Sequence, residues 1–162
     1  MEAVSLRDAG PQDSRFLADM VVEAANWSPA AARPRVQVLA DPAYLHYVAG
    51  WQRPADRGVV ACAGDEAVGA AWFRLFPADY PAHGYVSPGV PELIIGVRSL
   101  WRAQGVGRAL LRRLVEDAAR SGYARLALSV ERGNFAHALY RSEGFGVVSS
   151  TAGRDTMVRL LR

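Results

Sequence analysis

A chain of 162 residues, 51% of them hydrophobic, suffices for one domain with a full core, residues 1–162, and is too short for two ordinary domains. Its single cysteine, Cys62, excludes an intrachain disulfide framework and a cysteine-built metal cluster, so no metal is expected and a reducing cytoplasm is the expected setting. The net charge of +3 rests on nineteen basic residues, every one an arginine, which cluster locally instead of covering a face with interleaved aromatics, so a nucleic-acid partner is not expected.

In chain order, AVSLRDA reads as a short strand. PQDSRFLADMVVEAA follows as an amphipathic helix, with Pro11 at its start and Phe16, Leu17, Met20, Val21 and Ala24 at helical spacing. Asn26 to Trp51 is irregular and rich in exposed-looking aromatics, with Asp41 placed to cap a helix begun by Pro42. GVVACA and AVGAAWFRLF, joined by Gly64-Asp65-Glu66, form a hairpin pattern that Pro77 ends. Residues 77–91 carry four prolines and two glycines and read as loop. ELIIGV is a strand, GVGRALLRRLVEDAARSG a helix closed by Gly122, and ARLALSV a strand, an order that predicts a parallel crossover. NFAHALYRSEG then reads as a short helix, and FGVVSS and TMVRLL as strands. No apolar run approaches the roughly 20 residues of a membrane span, and MEAVSLRDAG lacks a basic-then-apolar leader, so no membrane partner is expected.

Val97 to Val115 holds five arginines and no acidic residue. Part of that charge is ordinary helix surface. Val106, Leu110, Leu111, Leu114, Val115 and Ala118 form the buried stripe, and Arg112 with Glu116, Arg113 with Asp117 and Glu116 with Arg120 stand at pairing distance along the chain. The first turn differs, because acidic residues are favoured at a helix N-terminus and this one offers Arg102, Gln104, Gly105, Gly107 and Arg108. Glycines there let unpaired N–H groups approach an anion such as a pyrophosphate; a tight strand-to-helix connection would use the same glycines for their dihedrals.

VRSLWRAQGVGRALL resembles the acetyl-CoA pyrophosphate motif of the GNAT superfamily of N-acetyltransferases, R/Q-x-x-G-x-G/A, through Arg102, Gly105 and Gly107. LSVERGNFAHALYRSEGF resembles the second signature of that family through Ser129, Val130, Glu131, Asn134, Ala136, Leu139, Tyr140, Gly144 and Phe145. The resemblance implies a mixed α/β (α+β) fold. It would have a twisted mixed sheet of about six to seven strands, about four flanking helices, and parallel strands that splay at the acetyl-CoA site.

The resemblance further implies acetyl-CoA as cofactor and an amine as acceptor, small-molecule or peptide, with a homodimer left open. It assigns cofactor contacts to Ile95, Gly96, Val97, Arg102, Ala103, Gln104, Gly105, Val106, Gly107, Arg108, Ala109, Asn134, Ala136, Leu139 and Tyr140. The amides from Gln104 through Arg108 would cradle the pyrophosphate, and the backbone of Val97 would pair with the pantetheine arm. Tyr140 stands where the family places its general acid, and Glu92 where many members carry a base; packing and a solvated strand end are the ordinary alternatives. The strand period puts Glu92 on the face of Ile94 and Gly96. Trp27, Tyr47, His83 and Tyr85 are the acceptor-pocket candidates. A non-catalytic acyl-CoA-binding regulatory domain on the same fold is the competing reading.

Overall fold

The computed structural model describes residues 3–161. Seven strands make one sheet: β1 (Val4–Asp8), β2 (Arg57–Ala63), β3 (Glu66–Arg74), β4 (Glu92–Val97), β5 (Arg125–Glu131), β6 (Gly146–Thr151) and β7 (Arg154–Leu160). Their order across the sheet is β1-β2-β3-β4-β5-β7-β6. Five helices flank it: α1 (Ser14–Ala25), α2 (Arg35–Ala40), α3 (Pro42–Leu45), α4 (Val106–Arg120) and α5 (Ala136–Ser142). The sheet is mixed because β4 and β5 run parallel while every other neighbouring pair is antiparallel.

The two faces of the sheet bury different sequence patterns. On one, α4 packs its whole expected stripe, Val106, Leu110, Leu111, Leu114, Val115 and Ala118, together with Leu93, Leu126, Leu128 and Val130. Each leucine taken out of water there contributes roughly 1.5–3 kcal/mol. On the other face α1 buries Leu17, Met20 and Val21 against Val60, Ala70 and Trp72. Gly96 makes this close approach feasible, since a Cβ on it would lie 2.3 Å from the Met20 carbonyl oxygen. Residues of β4 alternate accordingly, with Leu93 toward α4 and Ile94 toward α1.

Several expectations need correction. A single turn of 3-10 helix, Pro11–Asp13, precedes α1, which starts at Ser14. The irregular segment contains α2, too short to display a helical period, which raises the helix count to five. Asp41 does cap α3, accepting from the Ala43 N–H at 3.0 Å. Its aromatics are not uniformly exposed: Tyr47 and His46 are buried. The buried Arg74–Asp56 ion pair, 2.6 Å apart, holds this segment down, because Arg74 also donates to the carbonyls of His46 at 3.1 Å and Ala49 at 2.8 Å. Such a pair is tolerable because its hydrogen bonds are satisfied.

The feature that positions the site lies between β4 and β5. Among the described residues their register is a single pair, Glu92 with Ala127, after which the strands part. The proline-rich loop fills the space beneath, with Gly84 so close that a Cβ would sit 2.7 Å from the Leu128 carbonyl carbon.

A candidate active site in the splayed sheet

The gap between β4 and β5 opens into a cavity of about 460 Å³ that reaches both sheet faces. On the α4 side it is lined by Val97, Gly105, Gly107, Arg108, Leu139 and Tyr140. Gly105 stands immediately before α4 with φ +86°, and Ala103 at φ +61° adds a second left-handed residue to the turn. A non-glycine residue held there costs on the order of 1 kcal/mol, a strain typical of functional loops. The Ala109 N–H already closes the first turn on the Gly105 carbonyl at 3.1 Å, so the donors left for an anion are the amides from Gln104 through Arg108, which have no partner among the described residues. The first turn carries no acidic side chain. A Cβ on Gly107 would point between Leu139 Cδ2 at 3.7 Å and Val97 Cγ2 at 4.0 Å, both on the cavity wall. Unspent donors beside a wall kept bare suit a pyrophosphate.

The arginines divide their work. Arg102 turns back, donating from Nε to the Val97 carbonyl at 3.1 Å and from Nη2 to the Glu23 carbonyl at 3.2 Å, so it braces the turn. Arg112 does not take Glu116 as partner; it binds Glu143 at 2.9 Å, and Arg108 binds the same carboxylate. This ties α4 to the end of α5. The Arg112 and Arg108 hydrogen bonds hold the Glu143 carboxyl below its ordinary range. The pairs Arg113–Asp117 at 3.4 Å and Arg120–Glu116 at 3.9 Å form as spaced.

Tyr140, on α5, is buried with its ring edge-on to Phe145, and burial pushes its phenol up to about 12. Among the described residues its hydroxyl makes no hydrogen bond, although it lines the cavity. Asn134 caps the start of α5, its Oδ1 accepting from the Ala136 N–H at 2.9 Å.

Glu92 lies at the pinch point on the α1 face, 2% exposed. Its Oε2 accepts from the Tyr47 hydroxyl and from the Gly84 N–H, the latter at 3.0 Å, while Oε1 has no partner among the described residues. Burial pushes its carboxyl up to about 7 against the lowering effect of those hydrogen bonds. Burial first, and the Glu92 charge second, also hold Tyr47 well above the ordinary phenol value. Glu92 itself is absent from the cavity wall; Tyr47 stands on that wall and connects it to the carboxylate. Trp72 Nε1 donates to the Tyr47 carbonyl at 2.8 Å and fixes its backbone.

The raised Glu92 value sets a stability slope. The folded state holds this proton more tightly than the unfolded chain, so the stabilisation is complete below about 4.5 and is lost as pH rises through about 7. A shift of that size corresponds to about 3 kcal/mol. Glu92→Gln keeps an oxygen for both donors and cannot ionise. Urea unfolding from pH 5 to 8 should therefore show the stability difference between variant and parent moving by about that amount in favour of the variant. A difference independent of pH would show that Glu92 does not titrate in this window.

Of the residues expected at the cofactor, Ile95, Gly96, Val97, Arg102, Ala103, Gly105, Gly107, Arg108, Asn134, Ala136, Leu139 and Tyr140 line the cavity. Gln104 and Val106, expected to act through their backbone amides, do not line it with their side chains, since Gln104 Nε2 donates to the Leu100 carbonyl at 2.9 Å and the Val106 side chain is in the core, while the Ala109 amide is spent within α4. Of the residues expected at an acceptor pocket, Trp27 and Tyr47 line the cavity, whereas His83 and Tyr85 stand off its wall. Glu131 and Arg154 line it as well, outside the expected set of site residues. Only the β5–β7 register, which sets Glu131 opposite Arg154, brings them there.

The sequence profile of the acetyltransferase (GNAT) family matches residues 21–145, and the chain belongs to that family. A PaiA N-acetyltransferase from Thermoplasma acidophilum, solved with coenzyme A, superposes with a TM-score of 0.73 at 16% identity, covering 98% of this chain and 99% of that one. YncA of Salmonella typhimurium, a proposed acetyltransferase solved with acetyl-CoA, gives 0.69 at 21% identity, over 99% and 95%. The ribosomal-protein-alanine N-acetyltransferase of Brucella melitensis gives 0.67 at 25% identity, over 96% and 99%. These likenesses agree with the mixed, splayed sheet, and the bound molecules of the first two agree with acetyl-CoA as the cofactor. No curated protein matches the chain. No helix among the described residues is long and apolar enough to cross a membrane.

Proposed function

We propose that the chain, acting as one domain, is an N-acetyltransferase that passes the acetyl group of acetyl-CoA directly to a primary amine. One observation carries the reading: a continuous cavity joins the bare N-terminus of α4 and Tyr140 on one sheet face to Tyr47, backed by Glu92, on the other. Two molecules entering from opposite faces would meet where β4 and β5 part, an arrangement that converts a bimolecular encounter into an oriented one.

On the α4 side, the amides from Gln104 through Arg108 would bind the pyrophosphate, and Leu139 and Val97 would pack against the arm that follows. Bound acetyl-CoA supplies an activated acyl group whose thiolate departs. Tyr140 holds its proton at Oη beside that path. On the α1 side, Tyr47 can accept the proton of an attacking amine at Oη while handing its own to Glu92 Oε2, remaining neutral throughout. Glu92, with a carboxyl near 7, is about half ionised at neutral pH and matched to that task. The same pair speaks against a non-catalytic acyl-CoA-binding domain, which has no use for a buried carboxylate behind a tyrosine. The free thiol of Cys62 suits a reducing cytoplasm.

Acetyl-CoA should raise the melting temperature, since a ligand bound only by the native state adds about 2.7 kcal/mol at a hundredfold excess over Kd. An amine screen following thiol release should then find turnover that depends on acceptor. Absence of any thermal shift at millimolar acetyl-CoA would overturn the assignment; a shift with no acceptor among amines, amino acids and peptides would favour the regulatory reading.

A further inference from the structure

The acceptor side of the cavity carries one guanidinium whose donors are largely unclaimed. Arg154, at the start of β7, is anchored by Nε to Ser129 Oγ at 2.9 Å. Its Nη1 stands 4.0 Å from Glu131 Oε2, a long ion pair beyond hydrogen-bond range, and the same oxygen accepts from Trp27 Nε1 at 2.6 Å. Among the described residues neither Nη of Arg154 donates a hydrogen bond. The side chain is 25% exposed and lines the cavity. Arg154 also acts on the buried groups around it, its charge lowering the carboxyl of Glu92 and the phenol of Tyr47. A cation with two idle nitrogens therefore stands within electrostatic reach of the proton acceptor.

The walls limit what such a cation can meet. The Trp27–Glu131 bond straps the segment just after α1 across to the end of β5, and a Cβ on Gly133 would lie 3.1 Å from the Trp27 ring. Tyr44 adds a second aromatic wall, with the Arg33 guanidinium stacked on it 5.1 Å from the ring centre. Arg33 adds another positive charge near Tyr44, while Trp27 and Arg154 share Glu131.

Resting on the acetyltransferase reading, we propose that the acceptor is a free α-amino acid with an apolar or aromatic side chain. Its carboxylate would pair with the Nη atoms of Arg154, its amino group would meet Tyr47 Oη, and its side chain would lie between Trp27 and Tyr44. Planar, two-point recognition of a carboxylate is the geometry a guanidinium favours over any other side chain.

The test compares matched acceptors that differ only in the carboxylate: phenylalanine against 2-phenylethylamine, and leucine against 3-methylbutylamine. The parent enzyme should prefer the amino acids by 30-fold or more in kcat/KM, in line with the loss seen when one partner of a desolvated charge pair is removed. In Arg154→Gln the ratio should fall to near one, mainly through KM for the amino acid, and Arg154→Lys should restore only part of it. Binding of N-acetylphenylalanine to the CoA-loaded protein, read by calorimetry, should weaken in parallel. An acetyl-CoA thermal shift on each variant separates a misfolded protein from an informative one. Equal or better turnover of the decarboxylated amines by the parent, acetylation confined to peptides, or an unchanged ratio in Arg154→Gln would each overturn the proposal while leaving the acetyltransferase reading standing; loss of the acetyl-CoA shift in the parent would remove both.

Discussion

Tyr140→Phe should lower kcat by roughly 10²–10³ while leaving the fold and acetyl-CoA affinity nearly unchanged. The reason lies in what the hydroxyl touches. Its ring packs edge-on to Phe145, a contact phenylalanine preserves, and Oη makes no hydrogen bond among the described residues. Removing it therefore leaves no protein group unpaired, and stability should change by about 1 kcal/mol or less. With its phenol near 12, the residue is protonated at every working pH and is better suited to donating a hydrogen bond to developing negative charge than to complete proton transfer. That interaction exists chiefly in the transition state, so its loss appears in kcat and not in ligand affinity. Single-turnover rates and melting curves on this variant check the assignment. Parent-like acetyl transfer would take Tyr140 out of the mechanism.

Gly107→Glu should abolish acetyl-CoA binding, weakening it a hundredfold or more, and at the same time leave the protein as stable as the parent or more so. The two effects have opposite signs because they arise from different links. In the second position of α4, glycine costs about 1 kcal/mol of helix propensity relative to a good helix former, and a carboxylate beside the positive end of a helix is favoured. The new Cβ meets only ordinary contacts, with Leu139 Cδ2 at 3.7 Å. The carboxylate would then occupy the place of the pyrophosphate and repel it. A purely structural glycine predicts the reverse, damage to the fold with binding lost only in proportion. Calorimetry paired with urea unfolding distinguishes them, and parent-like affinity would mean that the anion site lies elsewhere.

The amino-acid order alone determined features that fit within one window of chain. The α4 stripe from Val106 to Ala118, the hairpin across Gly64 and Asp65, the loop from Pro77 to Pro91 and the bare first turn at Gly105 and Gly107 all follow from periodicity, glycine and proline. Even the facing of Glu92 with Ile94 and Gly96 follows from the strand period. The short α2 escaped because six residues hardly display a period.

Tertiary structure decided everything that depends on which elements meet. Arg112 had Glu116 one turn away and took Glu143, since the end of α5 docks beside α4 and presents an already half-enclosed carboxylate to two arginines. Glu92 became a buried acid behind Tyr47 because the segment before β2 folds over the α1 face and is pinned there by Arg74 and Trp72. Trp27 and Glu131, 104 residues apart, share a hydrogen bond, and β7 returns Arg154 opposite Glu131. Local propensity acts over one helical turn or one strand pair, whereas these contacts are set by sheet order and register. A window of sequence therefore reveals the cofactor loop, and only the assembled sheet reveals the pocket opposite it.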